Sequence, residues 1–377
     1  MRFRLYSFSI LVILFFFLVF KWEANPDNLP EESLKAVQNE TNGTISIFRS
    51  GAEESILVQN ALPGFRPYLH PLVSPDGKKT LTEYSPGHHP HQTGIYWGIT
   101  RINGRDYFHN PKNDYWKRVS FSVTEKEGNK VSWQTVYDLL DDKGETLMTE
   151  TQSWSMVIRN NRYYLDLEWI GEAKQDLTFA QYDYGGLFVR MPWKQGMEGQ
   201  VVNAARQVNQ KAEGQPAMWV DVGLQYEGRD KPDHIAIFDH PQNRGYPQIW
   251  RVDNQMGIGT AKARSGEWKL PKRASGIIRH QLVVYGVDLN DVELNDDWSA
   301  FSGRGNTSEL WKIAQEEGRS AKFLSPEEAV KAMTVKDGYK VNVWASEPMM
   351  TQPMAFCWGD RGRLWVAENR DYESRGK

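Results

Sequence analysis

From Thr44 to Tyr285 apolar and polar side chains alternate in short runs broken by turn residues, and no run carries the longer period of an amphipathic helix. Strands are predicted over Thr44–Arg49, Ser55–Gln59, Arg66–Val73, Gly94–Thr100, Arg118–Glu125, Lys130–Leu139, Thr146–Ile158, Arg162–Gly171, Leu187–Met191, Ala217–Gln225, His234–Asp239, Gln248–Val252 and Ile277–Tyr285. Ser74–Lys78 reads as a turn, and Glu127-Gly128-Asn129 and Asn160-Asn161 read as hairpin tips. In Arg162–Gly171 the period of two puts Tyr163, Leu165, Leu167 and Trp169 on one face and Tyr164, Asp166, Glu168 and Ile170 on the other. The first face belongs in a core. Asp166 and Glu168 either face water or serve as acid and base on a concave sheet, and Glu150, Gln152 and Trp154 share a face in the same way. Many strands joined by turns, without strand–helix alternation, predict an all-β, antiparallel β-sandwich.

The pattern changes at both ends. Arg2 and Arg4 precede an apolar run from Leu5 to Phe20, which reads as an export signal over residues 1–24, or as an inner-membrane anchor if uncleaved. The expected location is therefore periplasmic or extracellular. Residues 25–42 are polar and read as a linker. The sandwich is expected over 43–303, followed by a linker at 304–324 that includes Gly303-Arg304-Gly305-Asn306 at its start. Asp288–Asp297 is acidic, and short helices are expected over Ser308–Glu317 and Pro326–Met333, the second capped by Ser325. Lys340–Ala345 and Arg363–Glu368 read as strands, so residues 325–377 look like the beginning of a second domain.

Composition narrows the functional classes. Net charge is −3 with both signs interspersed, and no basic run suggests nucleic acid. Cys357 is the one cysteine, so no intrachain disulfide can form and stability rests on a core. The 15 Trp suit a β-rich core, and some suit stacking against sugar rings. No nucleophile elbow, phosphate loop or dinucleotide fingerprint is present.

The candidate chemistry concentrates in Tyr84–His109, which holds four of the eight histidines: His88, His89, His91 and His109. Pro86, Gly87 and Pro90 place them on a shaped loop before the strand at Gly94. Three readings stand. The imidazoles bind or transfer protons to a sugar, with Trp97 or Tyr107 as platform. His89 and His91 hold a metal ion, helped by His70, Asp239 or His240. Or the histidines order the loop through backbone hydrogen bonds. Asp239-His240-Pro241, at the end of a strand, is a second candidate box, with a simple turn cap at Asp239 as its alternative. Arg66 on a strand could clamp a carboxylate or a hydroxyl pair. Tyr182-Asp183-Tyr184 makes a third polar turn.

Taken together, Arg66-Pro67-Tyr68 with Pro71, the box His88-His89-Pro90-His91-Gln92-Thr93-Gly94-Ile95-Tyr96-Trp97 and the box Ile102-Asn103-Gly104-Arg105-Asp106-Tyr107-Phe108 resemble the secreted bacterial family labelled methane oxygenase PmoA-like. Trp219-Val220-Asp221, Ile237-Phe238-Asp239-His240-Pro241 and Pro247 with Trp250 match that family's later blocks. Gln92 stands where that family commonly has Arg, and Tyr107-Phe108 where it has Phe-Trp. The resemblance implies a galactose-mutarotase-like supersandwich. It does not imply methane oxidation, because a particulate monooxygenase subunit spans the membrane many times and this chain has one apolar run. The tail, with Leu324-Ser325-Pro326-Glu327-Glu328-Ala329, Gly338-Tyr339-Lys340-Val341, Ala345-Ser346-Glu347-Pro348 and Gly362-Arg363-Leu364-Trp365-Val366-Ala367-Glu368, resembles the opening of planctomycete membrane-bound dehydrogenase domains, which are sugar-dehydrogenase-like β-propellers. No C-x-x-C-H is present, so any haem or quinone is expected beyond Lys377.

The sequence therefore predicts an exported carbohydrate-active protein. As an enzyme it would be a hydrolase, lyase or epimerase working by general acid–base chemistry; the alternative is a sugar-binding or docking module for the attached propeller. The expected catalytic residues are His89, His91, Asp239 and His240. The expected substrate-binding residues are Arg66, His88, Gln92, Trp97, Asp106, Tyr107 and Asp183. No cofactor is firmly implied, and a metal ion remains open.

Overall fold

The computed structural model describes residues 32–87, 89–109, 114–303, 324–346, 349–350 and 353–368. The apolar run at the start of the chain, His88, the linker after Gly303 and the expected helix at Ser308–Glu317 lie outside these residues.

Two large antiparallel sheets dominate the first unit, which extends to Thr307, and Leu177–Phe179 pairs with Trp268–Leu270 in a small third one. One has nine strands, in spatial order Trp250–Val252, Ile258–Thr260, Gly186–Val189, Ile95–Gly98, Tyr68–Leu72, Ser55–Asn60, Thr44–Arg49, Leu34–Asn39 and Glu127–Gly128. The other has eight: Gly199–Asn203, Trp219–Leu224, Asp233–Asp239, Ser275–Tyr285, Arg162–Ala173, Thr146–Arg159, Lys130–Leu140 and Trp116–Glu125. The all-β antiparallel sandwich expected from the alternation is the observed fold. Asn160 and Asn161 both have positive φ and join Arg159 to its partner Arg162, the geometry of a two-residue hairpin turn.

The sheets face each other across one aromatic core. Trp97 of the nine-stranded sheet stacks on Trp169 of the eight-stranded sheet, with ring centroids 4.8 Å apart, and Trp133 lies parallel to Trp154. Burial of such rings is the dominant favourable term in a fold without disulfides.

Two expectations change here. Leu34–Asn39, read as part of a linker, is a strand paired in register with Thr44–Arg49, so the sandwich begins before residue 43. Its polar appearance misled because only Leu34 and Ala36 point fully inward. Asp291–Phe301, inside the acidic segment, is an α-helix (α1) on the outer face of the eight-stranded sheet. Asn290 caps it, and Asp291 and Glu293 in its first turn complement the helix dipole. Leu294 and Trp298, one turn apart, seat it against Trp219, Phe238 and Tyr285, and the Trp298 indole donates to the carbonyl of Asp239.

The second unit begins at Ser308. Its described part holds a helix (α2), Pro326–Ala332, with the Ser325 and Glu328 capping box, and a hairpin of Pro353–Trp358 with Leu364–Glu368. Lys340–Ala345, expected as a strand, has no strand partner among the described residues. Phe356, Trp358 and Trp365 on the hairpin are exposed.

Candidate functional site

The site lies on the outward face of the nine-stranded sheet. Alternation along Ile95–Gly98 sends Ile95 and Trp97 into the core and Tyr96 outward. Its neighbours do the same. Tyr68 and Phe188 pair with Tyr96 in the ladder, and the three join Phe108 in an aromatic cluster separate from the core. Arg190 and Arg251 follow the same alternation and emerge beside this floor, while Val189, Trp250 and Val252 are in the core.

Two loops rise over the floor. The first, between Tyr84 and Thr93, is closed by a bridge between those residues and by the Ser85 and His89 amides, which donate to the carbonyls of Gln92 and Pro86. Gly94 ends it at φ +80°, where a Cβ would sit 2.5 Å from the Leu69 carbonyl oxygen. The second runs from Ile99 to His109 and turns at Asn103-Gly104. Gly98 lets it fold back, because a Cβ there would collide with Phe108 at 2.8 Å.

Arg66 ties the loops together. Its guanidinium is buried over the Tyr96 ring and donates to the carbonyls of Phe108, at 2.5 Å, and His91, at 2.6 Å. It is 3 % exposed and faces protein carbonyls, so the expected substrate clamp is a loop clamp. Gln92 is also buried, and its amide oxygen accepts from Arg190 Nε. Arg190 in turn pairs with Asp253 and donates to the Gln255 carbonyl. A fixed positive charge thus stands behind Gln92, supplied by Arg190.

His89, His91, Gln92, Phe108, His109, Tyr184, Phe188, Arg251 and Asp253 line a pocket of about 90 Å³ between these parts. A hydrogen-bonded chain reaches it from Asp106. Asp106 accepts from the amides of Phe108 and His109, and its second oxygen is 2.6 Å from His109 Nδ1. His109 Nε2 lies 2.7 Å from the Tyr184 hydroxyl. An ionised Asp106 fixes the proton on Nδ1 and leaves Nε2 to accept from the phenol. Hydrogen bonds from His109 and the Phe108 amide outweigh burial and hold Asp106 below the usual carboxylate range. Burial, then the Tyr182 hydroxyl, raises the Tyr184 phenol above its ordinary value. His91 packs its ring on His109 at 4.6 Å. Burial, followed by the charges of His109, Arg66 and His89, pushes His91 down to about 3, so it is uncharged at neutral pH.

The other expected residues lie elsewhere. Trp97 is core, and the outward ring beside it is Tyr96. Tyr107 is fully buried and donates to the Leu140 carbonyl, so it is no platform. Asp183 is exposed, with Arg264 4.0 Å away; its neighbour Tyr184 is the residue that enters the pocket. Asp239 is buried in the eight-stranded sheet and caps the turn that follows it, accepting from Asn243 Nδ2 and the Gln248 amide. Burial raises it to about 7. His240 Nδ1 accepts from the Gln242 amide and its ring meets Phe301. Neither of these two residues lines the histidine pocket. Among the described residues no three His, Cys, Asp or Glu side chains converge as a metal ion requires, and His89 and His91 are joined in the pocket by neither Asp239 nor His240.

Sequence reasoning missed Arg190, Arg251 and Asp253. The charged Arg190 inside the apolar run Leu187–Met191 was the available signal.

Among solved structures the fold is similar to the GH36 alpha-galactosidase AgaB of Geobacillus stearothermophilus, at 10% identity and a TM-score of 0.39, over 68% of this chain and 41% of that one. It is similar to the alpha-galactosidase of Lactobacillus brevis, at 11% identity and a TM-score of 0.31, over 73% and 42%. A galactose mutarotase related enzyme from Lactobacillus acidophilus matches at 8% identity and a TM-score of 0.31, over 68% of this chain and all of that one. This chain thus spans about two fifths of the length of the alpha-galactosidases. A search among curated proteins finds no match. Residues 325–377 match a domain of unknown function, DUF7133. Residues 59–299, which contain the whole pocket, match the family of unknown function DUF6807, and the chain belongs to that family.

Proposed function

We propose that this protein is carbohydrate-active, that the histidine pocket receives one end of a sugar, and that His109 and Tyr184 move a proton to or from it. The observation that carries this reading is the Asp106–His109–Tyr184 relay opening into a pocket beside an uncharged imidazole. Asp106 orients His109 so that Nε2 faces the phenol; Tyr184 can pass its proton to Nε2 as its oxygen takes one from a ligand oxygen or carbon, and the reverse passage returns it. His91, neutral at pH 7, accepts or donates one hydrogen bond to a hydroxyl without competing for the proton. Phe108 and Phe188, both buried, supply apolar edges to the pocket wall.

Of hydrolase, lyase and epimerase, the geometry favours the last two. Glycoside hydrolysis commonly uses two carboxylates flanking the bond. Here Asp106 is committed to His109 and Asp253 to Arg190. Proton removal and return by one relay needs no second carboxylate. The basic and apolar regions at the start of the chain support an exported site of action.

The test incubates the full chain with a panel of glycosides and keto-sugars in D2O, followed by proton NMR. Loss of a ring or anomeric proton signal, absent with His109→Ala, is the expected result. Line broadening without chemical change would make the protein a binding module. A panel that neither changes nor binds would remove the carbohydrate reading.

A further inference from the structure

The pocket is too small to hold a whole ligand. Small-molecule sites ordinarily enclose ~300–1,000 Å³, and this one encloses about 90 Å³. A second recess of about 590 Å³ is lined by Glu83, Pro86, Gly87, Trp193, Lys194, Gln195, Asn254 and Gln255. Three chain segments run from one recess to the other. Pro86 and Gly87 line the cleft, and His89, His91 and Gln92 of the same loop line the pocket. Asn254 and Gln255 line the cleft, and Asp253 lines the pocket. Arg190, bonded to Gln92 and Asp253, leads within a few residues to Trp193, and its carbonyl accepts from the Glu83 amide.

We propose that the cleft is a second sugar subsite, so that the ligand is an oligosaccharide with its end in the histidine pocket and its next ring in the cleft. This rests on the carbohydrate reading above. The cleft has the groups a sugar ring uses. The Trp193 indole is half-buried, packed against the core and fixed by donation to the Met197 carbonyl, which makes it a stiff platform. Glu83 Oε2 and Gln255 Oε1 are shielded from solvent and have no hydrogen-bond partner within the protein. Acceptors without partners are rare in folded proteins, and rotation of either side chain toward the cleft would turn its oxygen to a sugar hydroxyl. Glu83 and Lys194 bring one charge of each sign to the cleft, which suits an uncharged ring.

The test titrates the full chain with methyl monosaccharides and with the matching di- and trisaccharides, by calorimetry and saturation-transfer NMR. The disaccharide is expected to bind at least tenfold more tightly than its monosaccharide. Trp193→Ala should remove about tenfold of oligosaccharide affinity, the loss typical of an aromatic anchor, and leave monosaccharide affinity unchanged. Glu83→Gln keeps the side-chain shape and should weaken the oligosaccharide alone, which guards against a folding defect in the Trp193 variant. Equal affinity for the two sugar lengths, or equal losses for both in Trp193→Ala and Glu83→Gln, would overturn the second subsite while the pocket reading stands. If no saccharide binds the wild-type chain, both readings fail together, and that outcome is distinguishable from the first.

Discussion

Two of the carboxylate and imidazole clusters among the described residues behave differently. In the histidine pocket His91 and His109 line a recess on the outer face of the nine-stranded sheet, and Asp106 bonds to His109. In the interior, Glu150 accepts from Trp169 and Gln152, Asp239 from Asn243 and Gln248, and the His280 ring lies within 3.0 Å of the Phe238 carbonyl. Both clusters perturb their acids, in opposite directions. Asp106 is held down by hydrogen bonds that favour its charge. Burial outweighs the hydrogen bonds at Glu150 and Asp239 and raises each to about 7. A perturbed carboxylate is thus no sufficient sign of a site. What distinguishes the outer cluster is that its relay ends at a hydroxyl facing a recess.

The largest effect that would break this contrast is at His109. His109→Ala should lower kcat/KM on any turned-over sugar by about 10²–10⁴, the usual contribution of a positioned acid–base group. His280→Gln, in the interior, should leave the rate within about twofold and lower only the thermal midpoint. Equal losses from the two variants would merge the clusters into one site.

Arg66 comes next. Arg66→Ala removes the donors that hold the Phe108 and His91 carbonyls and leaves both buried acceptors unpaired. A cost of about 2–6 kcal/mol is expected in urea denaturation, from ~1–3 kcal/mol for each of the two acceptors left without a partner. The His91 and His109 loops should loosen together, so hydrogen exchange ought to rise in both. Protection unchanged in the Tyr84–Thr93 loop would show that Arg66 is not its clamp.

These predictions rest on features of unequal legibility. The alternation that made Arg162–Gly171 a strand, and the paired asparagines that closed its hairpin, are local signals, so strands and sandwich could be read directly. The helix Asp291–Phe301 was not legible because its contact stripe is little more than Leu294 and Trp298 among acidic residues. Within the site, the His89 and His91 loop was visible as a cluster. Arg190, Arg251 and Asp253 were not, because strand pairing brings them to the loop from far along the chain. Trp97 and Asp183 were each chosen one position away from the residue that faces the site. A slip of one position reverses the face, and nothing in Gly94–Thr100 states which face is inside.

Glu150 sharpens the contrast through pH. Its folded value of about 7 stands above the ordinary 4.5 of a free glutamate, so the folded state favours the protonated form. The stability this gives is fully present below pH 4.5 and is lost as pH rises to about 7. The wild-type melting midpoint should therefore fall between pH 5 and pH 8, by an amount corresponding to at most ~3 kcal/mol. Asp239, raised to about 7 as well, adds a loss of the same sign. Glu150→Gln, which cannot ionise, should remove its own share of the slope without altering turnover, and a slope unchanged by the substitution would assign the titration to Asp239.

Asp239→Asn carries the smallest expected effect on activity, and it tests the division most directly because Asp239 resembled a catalytic acid in the sequence. Its two oxygens have separate partners, Asn243 Nδ2 at 2.7 Å and the Gln248 amide at 2.8 Å. An asparagine keeps one acceptor and turns an NH2 toward the other donor. Asn243 cannot compensate, since its own oxygen accepts from the Arg279 amide and its nitrogen also donates to the Arg279 carbonyl. The expected result is ~1–3 kcal/mol of lost stability, the cost of one unpaired buried group, and kcat/KM within about twofold of wild type. The two readouts separate the roles. A turn cap fails in the melt and not in the assay, whereas an acid that reaches substrate fails in the assay at temperatures where the chain is fully folded.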